Sequence, residues 1–409
     1  MCMKLQNFFT KAAVVSGFSL ALLTLQGCGQ NSQSLTPNED IFVETESPAG
    51  IAQVTDQAHA KRLRYVRVNI PALKRILTKG DTTTLRLNFF DNQSVDVLLE
   101  QIDRKSADNI VVVGRVVGDS DSAVTLVLNQ GILIGNVRRG DSNENFEIRV
   151  KGNGVHSIRL PEGDLEENCE VVKENGSHSH DENEQATGDL DESMSSDRAS
   201  VLASPVVKVL GAYTPNARAA QGGTAGIVAL IQKGVADTNR ALEDSGSSLR
   251  VELVGTVETK SNESSSISND LSALRSKTDS RFNEIHALRS QLGADQVSLV
   301  GSYSRYNTAA GIGYFRSTYS NAFTVTKAAY FGQYTFSHEL GHNLGLDHSD
   351  GYVSGAGRFR TIIAYGNYPR IRRYSNPSIS YNGFKTGDTR HNEAKILNSN
   401  AIRMSALVK

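Results

Sequence analysis

The chain has 409 residues, more than one typical domain holds, so it has room for two folded parts besides a leader and a linker. Its 43 Lys and Arg nearly balance 44 Asp and Glu, and a formal net charge of -1 gives no global field favouring nucleic acid or an anionic membrane. Three Cys leave little scope for disulfide cross-links, so stability must come from packing and any bound metal.

Residues 1–27 read as a leader: Lys4 and Lys11 supply positive charge, and the apolar stretch Ala12 to Leu25 is too short to suit a spanning helix. It ends in Leu25-Gln26-Gly27-Cys28, which resembles the bacterial lipobox. That resemblance implies cleavage before Cys28, lipid modification of Cys28 and a membrane-anchored mature chain. Gly29 after the Cys resembles the outer-membrane sorting pattern, which implies a place at the cell envelope or, after processing, outside it. Cys169 then has no second cysteine with which to form an intramolecular disulfide. Residues 28–60 read as an N-terminal linker.

Residues 61–161 alternate apolar and polar side chains in short runs, as in Thr83 to Phe89 and Ala123 to Leu128, which predicts an all-β part. Turns are expected at Asp91 to Ser94, Asn129 to Gly131 and Lys151 to Gly154, where Asn and Gly tolerate positive φ. Residues 162–203 change character: between Glu162 and Arg198 thirteen acidic side chains face two basic ones. Such a stretch reads as an acidic, disordered linker exposed to proteases, the expected activation cleavage zone. His178 and His180 within it read as part of a solvated tract rather than as metal ligands.

Residues 204–409 predict an α/β fold. A strand from Val206 to Thr214 is followed by a helix carrying Ile227, Leu230, Ile231, Val235 and Leu242 at helical spacing. A strand from Leu249 to Thr259, helices around Ile267 to Leu274 and Phe282 to Leu292, and a strand at Gln296 to Val300 complete the alternation.

The chemistry lies in His338-Glu339-Leu340-Gly341-His342-Asn343-Leu344-Gly345-Leu346-Asp347-His348, an H-E-x-x-H pattern extended by x-x-G-x-x-H. On a helix His338 and His342 project from one face one turn apart, while Phe336, Leu340 and Leu344 fall on the opposite, core-facing side. Gly345 suits a left-handed helix stop that brings His348 back to the same ion. Three neutral imidazoles leave a fourth position of one Zn2+ open, and Glu339 is placed to take a proton from water there. Nothing in the sequence speaks to calcium.

This segment, with Tyr213-Thr214-Pro215, Asp237-Thr238-Asn239, Thr361 to Gly366 and Tyr374-Ser375-Asn376-Pro377, resembles the metzincin zinc metallopeptidases. The similarity is to the peptidyl-Asp metalloendopeptidases and their reprolysin-like relatives. It implies an α/β (α+β) catalytic domain with a mixed sheet and an active-site helix, cleaving protein or peptide substrates. The β-rich part before it looks like the pro-domain of a proenzyme. One departure is Ile363, which stands where the family's turn beneath the zinc carries Met; an aliphatic floor of similar volume should cost about 1 kcal/mol or less.

Tyr365 holds the position at which related families carry a tyrosine able to stabilise an oxyanion, and a packing role is the alternative. Cys169 is a possible latency ligand whose thiolate would fill the open zinc position. Arg370, Arg372 and Arg373 either border the pocket for the residue after the scissile bond, favouring acidic side chains, or are solvated surface. His286 and His391 read as packed or surface histidines. A second reading is a catalytically weak surface lipoprotein acting as a binding or adhesion module; Glu339 argues against it, because zinc binding alone needs no such carboxylate.

Overall fold

The computed structural model describes residues 39–47, 60–79, 84–163, 169–173, 178–179, 204–302 and 309–408. The leader, Cys28 and His180 lie outside the described residues. From Phe42 onward nine strands pair antiparallel: β1 (Phe42–Glu44), β2 (Ala60–Val68), β3 (Thr84–Phe90), β4 (Gln93–Ser106), β5 (Asn109–Val116), β6 (Asp119–Asn129), β7 (Ile132–Arg138), β8 (Asn145–Gly152) and β9 (Val155–Pro161). Their spatial order is β1-β2-β9-β8-β7-β6-β5-β4-β3. The three turns fall where the sequence places them, with Asn92, Gln130 and Asn153 at φ of 59, 47 and 51°. The two edges approach each other, and the Asn88 amide bonds both the N–H and the carbonyl of Phe42, at 2.9 and 2.8 Å.

Two features differ from the all-β expectation. Helix α1 (Ile70–Thr78) interrupts the strands, because the Asn69 side chain caps the Ala72 N–H, Pro71 suits a first turn, and Leu73 and Leu77 are buried one turn apart. Strand β1 lies in the stretch read as a linker; Ile41 and Phe42 are buried, and ring stacking of Phe42 on Phe89 at 5.7 Å gives that segment an apolar anchor.

Strands β5 to β9 of the nine-stranded sheet are covered on both faces, whereas β4 alternates buried and exposed side chains. On β6, Val124, Leu126 and Leu128 enter a core internal to this part, whereas Val127 joins a second core containing Ile227 and Leu230 from the C-terminal part. That is why β6 is buried without interruption from Ser122 to Asn129, where a half-solvated antiparallel strand would alternate.

The second sheet contains β10 (Cys169–Val172), β11 (His178–Ser179), β12 (Val206–Tyr213), β13 (Arg250–Glu258), β14 (Gln296–Gly301), β15 (Gly311–Tyr314) and β16 (Phe323–Lys327), in the order β11-β10-β15-β16-β14-β12-β13. It is mixed: β12 runs parallel to β13 and β14, and β15 antiparallel to β16. Helices α2 (Pro215–Ala220), α3 (Thr224–Asp244), α4 (Ile267–Arg275), α5 (Glu284–Leu292), α6 (Thr335–Asn343) and α7 (Glu393–Met404) accompany it. The expected strands and helices from Val206 to Val300 are present within a few residues of their predicted ends.

The acidic stretch departs from the disorder its composition predicts for residues 162–203: Cys169–Val172 is a strand with Cys169 and Val171 fully buried. Four residues with apolar side chains on one face suffice when a ready-made sheet edge supplies the partner hydrogen bonds.

Candidate metal centre

Helix α6 carries His338, Glu339 and His342, all with no exposed surface. Its apolar side, Phe336, Leu340 and Leu344, enters the core shared with α3. Gly345 has φ of 102° and ends the helix: its N–H bonds the His342 carbonyl and the Leu346 N–H bonds that of Gly341, both at 3.0 Å. The reversal returns His348 to the two helical histidines. The Nε2 atoms of His338 and His342 are 3.0 Å apart, and those of His338 and His348 3.2 Å.

Those separations decide what the cluster can hold. Zinc at about 2.0–2.1 Å from each nitrogen in a tetrahedral array places the nitrogens about 3.3 Å from one another. The tautomers agree: His338 Nδ1 donates to the Ile362 carbonyl at 2.7 Å and His342 Nδ1 to that of Leu346 at 2.8 Å, leaving both Nε2 lone pairs for a metal. Burial, reinforced by the charge of Arg370, holds the His338 pKa well below the usual histidine range, and burial takes that of His342 to about 4. Both rings are therefore neutral at ordinary pH, as ligands must be.

The surroundings of Glu339 were not foreseen. Gly311 and Gly313, two apart on β15, leave the space its side chain occupies; a Cβ on Gly311 would collide with the carboxylate, and one on Gly313 would lie 3.0 Å from the Glu339 carbonyl. The Gly-x-Gly spacing in a short apolar run was the available signal. Beneath the helix, a Cβ on Gly341 would lie 2.9 Å from Cδ1 of Ile363, so the fully buried Ile363 forms the apolar floor between the two helical histidines. Glu393, on α7, is a second unforeseen residue. It accepts a hydrogen bond from Thr361 at 3.0 Å and another from the Ser375 N–H, so it braces the segment that bonds His338. Burial pushes its pKa up to about 8.

The remaining candidates separate clearly. Cys169 meets the centre: its Sγ, a His338 nitrogen and a Glu339 oxygen lie within 4.8 Å of one another. Strand β10 delivers it by pairing parallel to β15, Cys169 opposite Gly311 and Val171 opposite Gly313. The Tyr365 ring lies 4.0 Å from that of His348, its hydroxyl donates to the Cys169 carbonyl, and burial raises its pKa. Arg370 is fully buried and donates to the Gln333 carbonyl at 3.1 Å. Arg372 and Arg373 are not solvated surface; they bond Thr125 and Asp121 of the β-rich part, at 3.0 and 2.9 Å. His286 packs beside Phe323 and His391 pairs with Asp388, both away from the three-histidine cluster.

Residues 203–388 match the metallo-peptidase family M12B, reprolysin-like. The resemblance read from the histidine motif is thereby found independently. A peptidyl-Asp metalloendopeptidase of Stenotrophomonas maltophilia (strain R551-3) is 33% identical over 221 residues, 48% of this chain and 51% of that protein. One from Xanthomonas campestris pv. campestris is 31% identical over 218 residues, 48% of this chain and 50% of that protein. The chain thus spans about half the length of the curated relatives it matches. Metalloproteinase-II from Bacteroides fragilis aligns in structure over 76% of this chain and 88% of its own, at 10% identity and a TM-score of 0.43, a likeness too loose to carry a conclusion. The reprolysin-like region contains every residue of the three-histidine cluster.

Proposed function

We propose that the chain is a zinc endopeptidase of metzincin type, made as a proenzyme, with His338, His342 and His348 as ligands of one ion and Glu339 as general base. The observation that carries this reading is the convergence of three Nε2 atoms at zinc-like spacing beside a buried carboxylate. When bound, zinc would acidify a water and polarise a peptide carbonyl. Glu339 takes the proton of the attacking water and returns it to the leaving amine. Tyr365, against His348, donates to the developing oxyanion once its hydroxyl no longer serves the Cys169 carbonyl.

Latency follows from β10. Strand β15 is the edge onto which an extended substrate would add, and β10 holds that edge with Cys169 directed at the ligands. Cleavage in the acidic stretch after Val172 loosens the strand. Arg370, whose charge acts on His338, supports a preference for an acidic side chain after the scissile bond, in keeping with the name of the relatives. We further propose, from the lipobox resemblance, that Cys28 anchors the chain by lipid at the cell envelope.

The test compares the processed protein with Glu339→Gln for zinc content and cleavage of Asp-containing peptides. The reading predicts one zinc per chain in both and a loss of activity in the variant. Full activity in the variant would overturn the mechanism, and a zinc-loaded parent that cleaves no peptide would overturn the enzyme assignment.

A further inference from the structure

Activation by chain cleavage suggests that everything before the break departs, but the contacts of the β-rich part argue otherwise. The apolar face formed by Val111, Val127, Ile134 and Val150 is continuous with the core around helix α3. The fit is close: a Cβ on Gly222 would lie 2.9 Å from Val150 Cγ2, and one on Gly226 3.0 Å from Val150 Cγ1. Separation would leave a contiguous apolar surface on both pieces, the mark of an obligate interface rather than a transient one.

Polar groups inside this contact are matched across it. The Thr125 hydroxyl donates to Asp237 at 2.6 Å and accepts from Arg372 at 3.0 Å, while Lys233 bonds the other Asp237 oxygen at 2.6 Å. The side chains of Lys233, Asp237 and Arg372 are at most 3% exposed, and Thr125 is 1% exposed. A buried charged cluster in which Thr125 of the opposite part bonds both Asp237 and Arg372 favours one docking geometry. By contrast, β10 is held to the sheet by only four register pairs.

We propose that the β-rich part is a permanent lobe of the folded protein, retained after the acidic stretch is cut, and that its partner surface is the α3 face of the reprolysin-like region. It works as a clamp, because Thr125 touches both α3 and the segment at Arg372 that follows the turn under the histidines.

The experiment installs a recognition site for an added protease between residues 186 and 198 of the full chain and cuts it after folding, in the Glu339→Gln background. Because an external protease makes the cut, the result does not depend on the peptidase reading. The two pieces are expected to elute and sediment as one 1:1 species in native buffer and to part only in denaturant. Their separation into two folded species in native buffer overturns the proposal. A second cut sample carrying Thr125→Val tests the matched cluster: faster loss of the lobe on dilution supports it, and an unchanged rate contradicts the role given to that cluster.

Discussion

The hydroxyl of Tyr365 donates to the backbone carbonyl of Cys169, so the residue beside the third histidine also holds the strand that covers the centre. One group therefore holds β10 in this structure and, on the proposed mechanism, serves the oxyanion once that strand is gone. Substitutions at the two positions should separate these roles.

Replacing Cys169 by Ser leaves β10 paired but removes the thiol. The uncut Cys169→Ser chain is expected to cleave peptides measurably faster than the uncut parent and to lose zinc to a chelator faster. Tyr365→Phe should also raise activity before cleavage, yet lower kcat after it by about 10²–10³-fold, the range for losing one oxyanion donor. Peptide assays on cut and uncut chains check both, and a variant pair indistinguishable from the parent would remove the latency argument.

The floor beneath the ligands predicts a compensating pair. Gly341→Ala would press its Cβ against Ile363, and overpacking of this kind costs about 1–3 kcal/mol. Ile363→Val removes the Cδ1 atom that the new methyl meets, so the double variant should recover part of the lost stability and zinc retention. Ile363→Met alone should change stability by less than about 1.5 kcal/mol. Urea titration with zinc analysis measures all three; additive single effects would show that the two side chains are not coupled.

Buried His156 on β9 sets an acid limit to stability. Its Nε2 accepts the Leu133 N–H at 3.2 Å, and burial lowers its pKa from 6.5 to about 4. The unfolded chain binds this proton first, so the contribution is complete above pH 6.5 and is lost as pH falls from 6.5 towards 4. The shift corresponds to about 3 kcal/mol. His156→Gln is expected to flatten the fall in unfolding free energy across that window, and an unchanged slope would assign the acid sensitivity elsewhere.

Much of this was legible in the sequence because the decisive spacings are local. His338 and His342 share a helix turn and Gly345 reverses the chain over six residues, so periodicity and one permissive glycine were enough to bring His348 into place. The turns at Asn92, Gln130 and Asn153 followed from the same conformational preference. What escaped notice depends on distant partners. Cys169–Val172 pairs with an edge that β15 offers, and Arg372 is buried against Thr125, which arrives from 247 residues away. Helix α1 was hidden by its length, since nine residues give little periodicity against flanking strands. Glu393 carries no motif at all; its role comes from where α7 packs.

The proposed chemistry requires one ion held by three rings. A crystal of the processed protein grown with zinc, measured on both sides of the zinc absorption edge, tests that claim most directly. The prediction is a single strong anomalous peak about 2.0–2.1 Å from Nε2 of His338, His342 and His348, with Glu339 outside the ligand set. A peak coordinated elsewhere, or by only two of these rings, would contradict it.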